Sequence, residues 1–80
     1  MATKHDLRRW VVESLADLGG SGSVVEVSKA IWAVHEAELR ESGDLYYTWQ
    51  YDVRWAAQTL RNEDKLAPAD RNRSKPWRLA

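Results

Sequence analysis

Eighty residues suffice for one domain with a modest core, and the absence of Cys excludes both a disulfide framework and a thiolate zinc site as its support. Twelve basic residues balance twelve acidic ones, but unevenly: residues 1–50 hold five basic against eight acidic side chains, a net of −3, and residues 51–80 hold seven against four, a net of +3. No run of about 18 apolar residues is present to form a membrane-spanning helix, and no basic start leads into an apolar core as in a signal peptide, so a cytoplasmic protein is expected.

The first helix is expected over residues 3–18. "TKHD" can cap it, with Thr3 accepting from the amide of Asp6 and Asp6 facing the positive helix end. Leu7, Val11, Ser14, Leu15 and Leu18 recur on one face, and Gly19 and Gly20 stop the helix. "GSGSV" reads as an irregular link with a single strand-like step. "SVVE" then carries a capping-box pattern from Ser23 to Glu26. It opens a second helix over residues 24–39, with Val24, Val27, Ile31, Val34 and His35 on one side and Trp32 about a quarter turn away. "ESGD" is a loop.

The third helix is expected over residues 48–62. At ~100° per residue, Trp49, Val53, Ala56 and Ala57 cluster around Leu60 as the core face. Opposite lie Tyr47, Tyr51, Arg54 and Gln58, with Trp55 and Arg61 at the edges. Beyond it, Pro68 and Pro76 forbid a continuing helix. Leu66 and Ala67 can start a strand, "DRNRS" is a polar turn, and "WRLA" alternates like a half-buried strand. The tail therefore reads as a hairpin with Arg71, Arg73 and Lys75 at or near its tip.

Three helices followed by a basic hairpin is the order of a winged helix-turn-helix: a mainly α fold with a small β-hairpin, here one domain over residues 1–80. In that architecture the third helix enters the DNA major groove and the wing meets the adjacent backbone. Reading base edges suits Arg, Gln and Asn, and phosphates attract cations. The expected double-stranded DNA contacts are Tyr51, Arg54 and Gln58 toward the bases, Thr48 and Arg61 toward the backbone, and Arg71, Arg73 and Lys75 on the wing. One such domain makes few contacts, and a homodimer formed through helix one or the Trp10 and Trp32 region would double the footprint. Transcription regulation or nucleoid association would follow.

"LADLGGSGSVVEVSKAI" and "YDVRWAAQTLRNEDKLAPADRNRSKPWRLA" together resemble the N-terminal winged-helix domain of Mrr-type restriction endonucleases. The residues carrying the resemblance are Val53, Arg54, Trp55, Ala56, Leu60, Leu66, Trp77 and Leu79. "NEDKL" departs from the pattern, standing where the family has a Gly-containing turn. Eighty residues leave no room for the nuclease half, so the resemblance implies the DNA-binding fold and not the cutting activity. It also implies that Trp55 packs under the wing near Trp77.

Each of these residues has a plainer role beside the functional one. Arg54 could pair with Asp52, Glu63 or an acid of the second helix. Tyr47 and Tyr51 could simply flank the helix start, and the wing cations could sit in a solvated turn. Trp10 and Trp32 could be packing residues or anchors of a protein-interaction surface, which is the competing reading of the whole chain. His35 on an apolar face reads as a half-buried packing residue, with no second nearby His and no Cys to complete a metal site. No serine is spaced as a nucleophile with His5 or His35, and "GGSGSV" lacks the Lys-Ser/Thr ending of a phosphate loop. A non-enzymatic chain with no cofactor, metal or membrane association is expected.

Overall fold

The computed structural model describes residues 2–68 and 76–80. In chain order they form α1 (Asp6–Asp17), β1 (Ser21–Gly22), α2 (Val24–Arg40), α3 (Leu45–Asn62) and β2 (Trp77–Arg78). The result is a mainly helical structure with three helices and a small two-stranded antiparallel sheet.

α1 starts three residues later than the sequence suggests. The Thr3 side chain is not its cap. Instead the Thr3 backbone N–H donates to Asp6 Oδ2 at 2.9 Å, and the Asp6 N–H donates to the Thr3 carbonyl at 3.0 Å. The Asp6 carboxylate thus sits in the first turn, where the exposed amides favour negative charge. At the other end Gly19 takes φ +85°, a left-handed conformation that costs glycine nothing. The N–H groups of Gly19 and Gly20 fold back onto the carbonyls of Ala16 and Leu15, at 3.1 and 2.7 Å, closing the helix as a Schellman motif. Leu18, expected on the buried face, becomes the C-cap and is partly exposed.

The capping box at the start of α2 forms in full. Ser23 Oγ accepts from the Glu26 N–H at 3.1 Å, and Glu26 Oε1 accepts from the Ser23 N–H at 3.0 Å. The helix breaks its regular geometry at His35, with φ −115° and ψ 16°. Its buried side runs through Val27, Ile31 and Leu39, with His35 half-buried between them. Val34, expected on that side, is 68 % exposed.

α3 begins at Leu45 and not at residue 48, because Leu45 lies one turn before Trp49 and extends the apolar face backward. Leu45, Trp49, Val53, Ala56, Ala57 and Leu60 are all buried, the face that the periodicity selects. Asp64 then takes φ +60°, and the N–H groups of Asp64 and Lys65 bond the carbonyls of Arg61 and Leu60. This is a second Schellman motif. In "NEDKL" the aspartate occupies the left-handed place usually given to glycine, which a short polar side chain tolerates.

β2 pairs antiparallel with β1, Ser21 opposite Arg78 and Gly22 opposite Trp77. On its other side Leu66 forms a bridge with Leu79, and the Ala67 N–H donates to the Arg78 carbonyl at 2.9 Å. The base of the tail hairpin is therefore present, with the strand expected at Leu66 reduced to one bridge. Its strand-like partner "GSGSV" completes the sheet from the far side. Arg71, Arg73 and Lys75, expected at the tip, lie outside the described residues.

The helices enclose one core in which Leu7, Trp10, Val11, Ile31 and Val53 are inaccessible to solvent. Trp10 is no surface anchor: its indole stacks on His35 with centroids 3.9 Å apart and planes at 9°. His35 Nδ1 lies 2.8 Å from Glu38 Oε1, so the imidazole joins a packing face to a polar rim. Arg8 bridges α1 to the end of α3 through Glu63 at 3.2 Å.

Candidate nucleic-acid interface

α3 packs its apolar face against α1 and α2, and this orientation turns the opposite face to solvent. Tyr51, Arg54 and Gln58 follow one another there at spacings of three and four residues, and all three are exposed. Tyr51 is 77 % exposed and lies in the second turn of α3. Gln58 Nε2 donates to Asn62 Oδ1 at 3.2 Å, a surface bond that water or a ligand can replace. Thr48 is exposed one turn before this stripe, its hydroxyl donating to Asp52 Oδ2 at 2.7 Å.

The acids that could have neutralised Arg54 are engaged elsewhere. Glu63 pairs with Arg8, Asp52 accepts from Thr48, and Glu36 bonds Arg40 at 2.9 Å. Among the described residues Arg54 has no ion pair. Arg61 stands apart from the stripe. It is half-buried, and its guanidinium lies 5.8 Å from the centroid of the Trp77 ring, which ties the end of α3 to β2 by a cation–π contact. Trp55 is half-buried, and its described ring partners are on the N-terminal segment: His5 edge-on at 5.6 Å and Lys4 Nζ at 4.7 Å. Trp55 and Trp77 are both partly buried against the core, and the wing that the resemblance sets over Trp55 lies outside the described residues.

Beside the stripe, the first turns of α2 and α3 leave an open groove of about 780 Å³. Trp32, Tyr46, Tyr47 and Trp49 line it. Trp32 stacks on Trp49 with centroids 5.9 Å apart and planes at 11°, Tyr46 stands 6.5 Å from Trp32, and Tyr47 meets Tyr46 edge-on at 5.1 Å. Lys29 on α2 and Arg54 on α3 add one cation from each wall. Arg40 lies at 5.2 Å over the Trp32 ring, and its hydrogen bond to Glu36 raises its pKa above the ordinary arginine value. The sequence alone does not assemble this groove: with the third helix starting at residue 48, Tyr46 has no place and Tyr47 is read only as part of the outward face. The signal was present in "DLYYTW", where Leu45 falls in phase with Trp49.

Among the described residues there is no group of three or more His, Asp or Glu that could hold a metal, and no helix is long and apolar enough to cross a membrane. Against family models, curated proteins and solved structures alike, the chain has no match.

Proposed function

We propose that this chain is a non-enzymatic double-stranded DNA-binding protein of winged helix-turn-helix type, with α3 in the major groove. The observation that carries the reading is the exposed Tyr51, Arg54 and Gln58 stripe on the face of α3 that core packing leaves to solvent. Its Arg and Gln are side chains that hydrogen-bond base edges, and its arginine is free of carboxylate partners among the described residues. Thr48 flanks the stripe and would meet the backbone. Arg61, held over Trp77, would reach phosphate only from the sheet side. Arg71, Arg73 and Lys75 would act from the wing, a part of the reading that rests on the sequence: three cations in five residues, between segments that pair at the hairpin base.

Regulation of transcription or association with the nucleoid would be the biological use of such a domain. The resemblance to the DNA-binding domain of Mrr-type endonucleases points to the same fold and carries no cleavage chemistry. The competing protein-interaction reading loses one of its two anchors, since Trp10 is sealed in the core. A homodimer would use the outer face of α1 or the half-buried Trp32 and not Trp10.

The test is a titration of a labelled random duplex at several salt concentrations. Each phosphate contact contributes about 0.9 to the slope of log affinity against log salt. Arg54→Gln is expected to weaken binding. Neutralising Arg71, Arg73 and Lys75 together is expected to flatten the slope by about 2–3. Unchanged affinity and slope in both variants would remove the proposal.

A further inference from the structure

We infer that the groove between α2 and α3 binds an unpaired segment of nucleic acid, its bases against the aromatic wall and its phosphates at Lys29 and Arg54. This deepens the DNA reading and rests on it for the kind of polymer. Two features of the groove choose the occupant. The first is the wall itself: Tyr47 is exposed, Trp32 and Tyr46 are half-buried, and the buried Trp49 stacks on Trp32, with centroid separations between 5.1 and 6.5 Å along the series. Rings of this kind bind the flat faces of bases, and every base has such a face. A base inside a duplex presents only its edge, because its faces are stacked on neighbours, so the wall suits a strand that is not paired.

The second feature is charge. Lys29 and Arg54 face the groove from opposite helices, and neither has an ion pair among the described residues. No carboxylate is among the groove's lining residues. On α2, Glu26 is held in the capping box by the Ser23 backbone, and Glu36 bonds Arg40 beside the Trp32 ring. An apolar wall with two uncompensated cations and no acid complements a polyanion that carries aromatic groups. The volume, about 780 Å³, lies within the roughly 300–1,000 Å³ of sites that take small ligands, so it suits a short stretch of strand. Tyr47, 84 % exposed, and Val25, 58 % exposed, form the open lip. Arg54 belongs both to the groove and to the α3 stripe, so a strand leaving a duplex on α3 could continue into the groove.

The experiment titrates the full chain with the oligonucleotide (dT)8 at low salt, following amide shifts and tryptophan fluorescence. A blunt random duplex and an acidic peptide containing Trp and Leu are titrated in parallel. The expected result is shifts on Val25, Lys29, Trp32 and Tyr47 with (dT)8. Tyr47→Ala should weaken (dT)8 about tenfold, within what one stacked base contributes, while Tyr47→Phe retains binding. Because Tyr47 makes no contribution to the core, the alanine variant keeps its fold. Lys29→Gln should lower the affinity and its salt dependence together. Absence of (dT)8 shifts in the groove, or Tyr47→Ala binding (dT)8 as well as the parent, overturns the inference. So does a groove that answers the peptide and not (dT)8. A groove that answers (dT)8 in a chain that ignores the duplex sustains the inference and removes the major-groove reading.

Discussion

Trp10→Ala tests how this domain, which has no cysteine to cross-link it, is held together. Trp10 is inaccessible to solvent and stacked on His35. An aromatic side chain of this kind buries about 150–250 Å². At about 25 cal/mol per Å², that is about 4–6 kcal/mol of transfer free energy. Truncation to alanine typically costs about 3–5 kcal/mol once the residual cavity is included. One term works the other way. The Trp10 Nε1–H is buried and has no acceptor among the described residues. Removing an orphaned donor recovers part of a penalty of about 1–3 kcal/mol. The net expected loss is about 3 kcal/mol, against a total of about 4–12 kcal/mol for a chain of this length. In urea, at about 1 kcal/mol per M, the midpoint should fall by about 3 M. Trp10→Phe keeps most of the ring area and removes the orphaned N–H, so it should lose about 1 kcal/mol. Circular dichroism against urea reads both. A Trp10→Ala midpoint within about 0.5 M of the parent would refute the placement of this ring at the centre of the core.

Ser23→Ala removes one arm of the α2 capping box and should cost about 1 kcal/mol in the same urea assay, with Ser23→Asp retaining most of the stability. Asp64→Gly should raise stability by about 0.5–1 kcal/mol, because the residue sits at φ +60° and glycine pays no side-chain penalty there; a loss would mean that the Asp64 side chain supports the turn. Glu63→Gln breaks the ion pair with Arg8, but both side chains are more than a third exposed, so thermal melts should show a loss below about 1 kcal/mol that shrinks further in high salt.

The parts of the fold that were legible in the sequence are those fixed by local chemistry. The Ser23 capping box, the stop at Gly19 and the buried face of α3 each depend on residues within a few positions of one another. The differences arise where tertiary context decides. α3 gains a turn because Leu45 finds the core, a contact that the polar "ESGD" loop concealed. Val34 is displaced outward where α2 breaks its geometry at His35, and that break accompanies the stacking of His35 on a residue of another helix. The pairing of Gly22 with Trp77 joins residues far apart in the chain, beyond the reach of periodicity. Of the candidate surface, Tyr51, Arg54 and Gln58 followed from the helical angle alone. The groove required two helices to be set side by side, and so only folding brings Lys29 and Trp32 against Tyr46 and Tyr47.

The central claim is that the outward face of α3 meets duplex DNA. The most direct measurement is an amide chemical-shift titration of the full chain with a short random duplex at low salt. The account predicts shifts concentrated on Thr48, Tyr51, Arg54, Gln58 and Arg61 and on the segment from residue 69 to residue 78, fading as salt is raised. An unchanged spectrum, or shifts confined to α1 and the outer side of α2, would contradict it.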